Sequence, residues 1–188
     1  MPALQILNLS RTGIKSLPDS LIRLVSLKRL FLNDCHRLMT LSPKVGNLKL
    51  LEVLDLEGAK IMDLPMEIKE LTNMKCLEVS FYGYMSNGRR AMQSNAVVPC
   101  GVISALCQLE ELNVDVNPDN EQWDAHVDDI VTEVCTLKKL ETLKFYFPRV
   151  ELLSTFSGIA YHCLISDLLL AAMLSALCLE SHLMLNLS

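Results

Sequence analysis

Side chains able to do chemistry are present in this chain, but not at spacings that would do it. Cys35 is followed by His36, and His162 by Cys163, each a nucleophile beside a base. Neighbours on an extended strand point to opposite sides, and neither pair has a third group to orient the base. The four histidines (His36, His126, His162 and His182) are too dispersed to make a metal-ligand cluster with cysteine. Asp128 and Asp129 are adjacent acids that read as a solvated helix face. The phosphate-cradling pattern GxxxxGK[ST] does not occur. The expectation is therefore no catalytic residue, no cofactor and no metal.

Charge and cysteine usage narrow the class further. The formal net charge is -5. A nucleic-acid binder would instead need a basic face to displace counterions from phosphates. Seven scattered cysteines without a CxxC fit reduced thiols, and no charged segment followed by an apolar run opens the chain. A cytoplasmic protein is expected on these grounds.

The elements that must position any functional group come from a repeat. Leucines recur as L-x-x-L-x-L at Leu4, Leu7, Leu9, at Leu27, Leu30, Leu32 and at Leu51, Leu54, Leu56. Substituted copies follow at Met74, Leu77, Val79, at Leu109, Leu112, Val114 and at Leu140, Leu143, Phe145. Successive copies start 23, 24, 23, 35 and 31 residues apart. The second and third apolar residues of each copy are two apart, so they share one side of a strand. A single copy cannot close its own core, and parallel stacking of neighbours can. Hydrophobic residues make up 51% of the chain and aromatics 5%, so this core must be aliphatic. Pro18, Pro43 and Pro65 punctuate the returning halves and favour irregular or short helical connections on the convex side. Cys35 falls at a turn and reads as buried.

The fold expected is an α/β leucine-rich repeat solenoid, with a short parallel sheet on the concave side. About six repeats fill residues 1–156, with insertions near 81–108 and 117–139. The first insertion begins with a polar loop over 81–99, carrying Arg89 and Arg90 as possible partner contacts, and a short helix near Val102–Gln108 follows. The second predicts a helix from Val127, Ile130, Val131, Val134 and Leu137, capped by Asp119 or Asn120. Residues 157–188 do not match the repeat and read as an apolar, helical tail. That tail is a cap on the solenoid end, a segment foreign to the repeat or a membrane anchor; Asp167 and His162 oppose the last.

The stretches Gly13–Pro18, Leu27–Cys35, Leu51–Gly58 and Ile61–Leu71 carry a further likeness. They resemble the leucine-rich region of plant intracellular nucleotide-binding leucine-rich repeat receptors, the disease-resistance proteins, nearest their coiled-coil class. The resemblance covers roughly residues 3–156. It implies a protein-interaction module with a part in pathogen recognition or autoinhibitory contacts, and a fragment rather than a whole receptor. The partners implied are the receptor's own nucleotide-binding domain, a pathogen effector or a host protein. Nucleic acid is not expected as a partner, nor a membrane. A generic cytosolic scaffold and a tail-anchored receptor fragment are the alternatives.

Residues beside the strand leucines should face outward from the concave sheet. Those expected to bind protein are Arg29, Phe31, Asp55, Glu57, Glu78, Asn113, Asp115, Lys144 and Tyr146. Asp55 and Glu78 fall on neighbouring strands, where like charges repel. With Glu57 and Asp115 they form an acidic patch suited to a basic protein surface, with Phe31 or Tyr146 as apolar anchor.

Overall fold

The computed structural model describes residues 3–81, 98–116, 121–149, 151–152 and 164–165. Seven strands form one parallel sheet in chain order: β1 (Ile6–Asn8), β2 (Arg29–Phe31), β3 (Val53–Leu56), β4 (Cys76–Ser80), β5 (Glu111–Asp115), β6 (Thr142–Phe145) and β7 (Leu164–Ile165). The register sets leucine beside leucine. Leu7 pairs with Leu30, Leu30 with Leu54, Leu54 with Leu77, Leu77 with Leu112 and Leu112 with Leu143. This follows from the period of two, because a slip of one residue would turn every leucine to solvent. Leu30, Leu32, Leu54, Leu56 and Leu77 are each 0% exposed. At β1 the stack thins, and Leu7 and Leu9 are only partly buried.

Prolines end the returning segments as the sequence predicts. Each opens or immediately precedes a short helix: α1 (Asp19–Ile22), a 3-10 turn over Pro43–Asn47 and another over Met66–Glu70. These put Leu21, Val45 and Ile68 into the same core, and Ile22 is buried as well. The turns after the strands also stack. Arg11, Asp34 and Gly58 all take positive φ, at 59°, 58° and 66°. A Cβ on Gly58 would lie 2.6 Å from Asp34 Oδ1, so both the conformation and the space call for glycine there. Cys35 is buried, and its thiol donates to the Leu9 carbonyl at 3.1 Å, tying one turn to the preceding one.

The inserted segments add helices without breaking the sheet. α2 (Val102–Ala105) is shorter than the segment expected near Val102–Gln108. α3 (Glu121–Val134) buries Val127, Ile130, Val131 and Val134 and ends before Leu137, which is buried just beyond it. Trp123 is also fully buried, at 0% exposure. Its Nε1 donates to the Tyr146 carbonyl at 3.1 Å, and its ring lies 4.9 Å from that of Phe145. The Glu133 carboxylate accepts from the Gly101 and Ser104 amides and so joins α3 to the start of α2. Asp119 and Asn120, and most of the 81–99 loop including Arg89 and Arg90, lie outside the described residues.

One expectation is corrected. Repeats were expected to stop at 156 and give way to a helix. Instead Leu164 pairs with Thr142 and Ile165 with Leu143, so a seventh strand falls inside that tail. In the sequence, His162 and Asp167 stand where Leu140 and Phe145 stand one repeat earlier, which removes two of the three apolar marks. The remainder of residues 157–188 lies outside the described residues. Among the described residues no helix is long and apolar enough to cross a membrane.

Candidate functional site

Strand alternation leaves every second side chain on the free face of the sheet. Register then brings acids from different repeats together: Asp55 pairs with Glu78, and Cys76 with Glu111. Asp55, Glu57 and Glu78 present oxygens that all lie within 4.8 Å of one another. The Cys76 thiol can donate to Glu111 at 3.6 Å or to Glu78 at 3.8 Å. Asn113 Nδ2 donates to Glu78 Oε2 at 3.4 Å. Four carboxylates therefore run diagonally across β3, β4 and β5, from Glu57 through Asp55 and Glu78 to Glu111.

The electrostatics record the crowding. Burial raises the Asp55 carboxyl above its ordinary value of 3.8, against a lowering by the Glu57 amide; Glu78, Glu57 and Asp34 then raise it further. That amide donates to Asp55 Oδ1 at 3.0 Å. The Cys76 thiol is pushed up to about 12 by burial and by the charges of Glu78 and Glu111. It is a protonated, weakly nucleophilic group at neutral pH. Asp55, Glu57 and Glu78 could hold a hard cation; with one oxygen from each, further ligands would be needed to reach the roughly six to eight oxygens that calcium takes.

A carboxyl with a raised folded pKa favours the folded state fully below the unfolded value, and that contribution is lost as pH rises through the folded one. At neutral pH the charge on Asp55 thus costs stability. Asp55→Asn retains the acceptor for the Glu57 amide and removes the charge. Its urea midpoint at pH 7 is expected to exceed the parent's by a margin worth roughly 0.5 kcal/mol, solvent screening keeping it small. The margin should close as pH falls through the window between the raised value and 3.8. A variant less stable than the parent at pH 7 would show that the crowding carries no cost.

The remaining residues expected on this face separate into two groups. Arg29 on β2 and Lys144 on β6 are exposed and bracket the acids. Phe31 and Asn113 are half-buried, and Glu57 and Asp115 exposed, at the positions expected. Tyr146, the other expected apolar anchor, is partly buried, as Phe31 is, and packs against the core. Ser80, two residues after Glu78 on β4, is 3% exposed, and its Oγ accepts from the Gly58 amide at 3.1 Å. Asp34 was not anticipated. It reaches Asp55 electrostatically from the stacked turn and pairs with Arg11 at 3.3 Å. Its positive φ and its place two residues after Leu32 are the available signals.

Comparison with known proteins agrees with this architecture. A family model described as a leucine-rich repeat region matches residues 35–175, a span that includes β7. A disease resistance protein of Arabidopsis thaliana is 36% identical over 148 residues, covering 76% of this chain and 14% of that protein. Among solved structures, a leucine-rich repeat protein of Leptospira interrogans is 19% identical, with a TM-score of 0.42, over 72% of this chain and 41% of its own. The leucine-rich repeat ectodomain of the plant membrane receptor kinase GASSHO1/SCHENGEN3 of Arabidopsis thaliana is 16% identical, with a TM-score of 0.47, over 74% of this chain and 18% of its own. The chain thus spans less than half of each of these relatives, and only 14% of the disease resistance protein. With its leucines in register on successive parallel strands and three quarters of its length matched, the chain belongs to the leucine-rich repeat family, as a repeat region of the kind found in plant disease resistance proteins.

Proposed function

We propose that this chain is a non-enzymatic protein-interaction module whose concave face engages a basic protein surface during plant immune recognition or receptor autoinhibition. The carrying observation is the crowding of Asp55, Glu57 and Glu78, whose oxygens lie within 4.8 Å of one another although burial and the neighbouring charges raise the Asp55 carboxyl. Groups kept at a cost to folding mark functional positions better than neutral ones do. A sheet face with no partner to serve would be more stable with Asn at position 55. The free thiols of Cys35, Cys76, Cys100 and Cys107 favour a reducing compartment and hence the cytoplasm. The likeness to a disease resistance protein favours the immune setting over a generic scaffold.

The test reverses Asp55, Glu57 and Glu78 to lysine together. The probe is the nucleotide-binding domain of a coiled-coil-class immune receptor, captured on the immobilised chain. Capture by the variant is expected to fall more than tenfold while circular dichroism stays unchanged, and capture by the parent should weaken with salt. Undiminished capture by a folded variant removes the acidic face from the interaction.

A further inference from the structure

We infer that the concave face is bipartite, and that its occupant is an extended polypeptide segment crossing the strands with one large apolar side chain over β1–β3 and a pair of cationic side chains over β3–β5. This deepens the acidic-face reading above and rests on it. The apolar half is independent of the acids. Ile6 is 54% exposed, and Phe31 and Val53 are partly exposed on the same face. By register Ile6 and Val53 flank Arg29, while Phe31 sits one position along, diagonal to both. Diagonal neighbours lie within reach of an aromatic ring. Phe31 also pairs directly with Asp55, so the apolar half meets the acidic half without a gap.

Charge fixes which way round a segment must lie. Arg29 stands in the apolar half, and no ion pair engages it among the described residues. It repels a cation placed over β2, while Asp55, Glu78 and Glu111 attract one placed over β3–β5. Lys144 closes the far side on β6. The chemistry is spread across strands rather than along any one of them, so the segment must cross the strands. Phe31 and Glu78 lie two strands apart, about 10 Å at the usual strand spacing. An extended chain covers that in about three residues.

The probes are three capped hexapeptides titrated into the full, isotope-labelled chain and followed by amide chemical shifts. Trp-Gly-Ser-Arg-Gly-Arg carries both features, Gly-Gly-Ser-Arg-Gly-Arg only the cations and Trp-Gly-Ser-Gly-Gly-Gly only the ring. The first is expected to bind about tenfold more tightly than the second, as burial of one large apolar side chain allows. That advantage should vanish in Phe31→Ala and shrink in Ile6→Ala, an exposed position where folding is not at stake. Asp55→Asn with Glu78→Gln should weaken both arginine peptides. Equal binding of the two arginine peptides overturns the bipartite face and leaves the acidic one standing. No binding of either arginine peptide overturns both.

Discussion

A chain carrying Leu54→Asp is expected not to fold. Leu54 is 0% exposed and lies between Leu30 and Leu77 in the stacked sheet. A carboxylate there would be buried with no cation or donor facing it, at a cost of several kcal/mol. Typical domains have only about 5–15 kcal/mol in hand. The milder Leu54→Ala should remain folded but lose about 2–5 kcal/mol, because a cavity at the centre of a repeat array cannot collapse without disturbing both neighbours. Asp at Val53, one residue away on the open face, should cost less than about 1 kcal/mol. Urea denaturation followed by circular dichroism separates the three. Equal losses at positions 53 and 54 would mean that the strand has no inner and outer side.

Trp123→Ala should be nearly as damaging, with a loss of about 3–5 kcal/mol. Trp123 is the largest fully buried side chain and holds α3 to β6 through the ring of Phe145 and the carbonyl of Tyr146. Removing it deprives both the helix and the last aromatic layer of their common support. Trp123→Phe fills much of the space and loses the Nε1 donor, so a smaller loss of about 1–2 kcal/mol is expected. It is the only tryptophan in the chain, so fluorescence of the parent reports this joint directly, and the variants are followed by circular dichroism. A Trp123→Ala chain as stable as the parent would show that α3 is an appendage rather than part of the core.

The first three repeats were legible because each carries leucine at all three marks, and one wrong residue of register would expose the whole set. β4, β5 and β6 stayed legible through substitution by Met74, Val79, Val114 and Phe145, which conserve the apolar pattern while changing shape. β7 was not legible, since backbone pairing with Thr142 and Leu143 needs no leucine, and His162 and Asp167 break the pattern. Trp123 continues the α3 stripe one step N-terminal of Val127, but a helix start argued from caps at 119–120 does not reveal which aromatic enters the core.

The acidic face was legible for the same reason as the core, since alternation that hides Leu54 and Leu56 must present Asp55 and Glu57. Contacts made by the turns were not. Ser80 turns inward to take the Gly58 amide, and Asp34 reaches Asp55 from a positive-φ turn. Both depend on how one repeat's turn rests on its neighbour's, which leucine spacing does not encode.

The interlocked leucine stack that frees the opposite face can be examined in one measurement. Leucine-methyl-labelled protein is recorded by nuclear Overhauser spectroscopy with and without a water-soluble gadolinium chelate. Methyl cross-peaks are expected to link Leu30 to Leu54, Leu54 to Leu77, Leu77 to Leu112 and Leu112 to Leu143, all surviving the chelate. Bleaching of these methyls by the chelate, or their separation into unconnected groups, would contradict both the fold described and the docking face built on it.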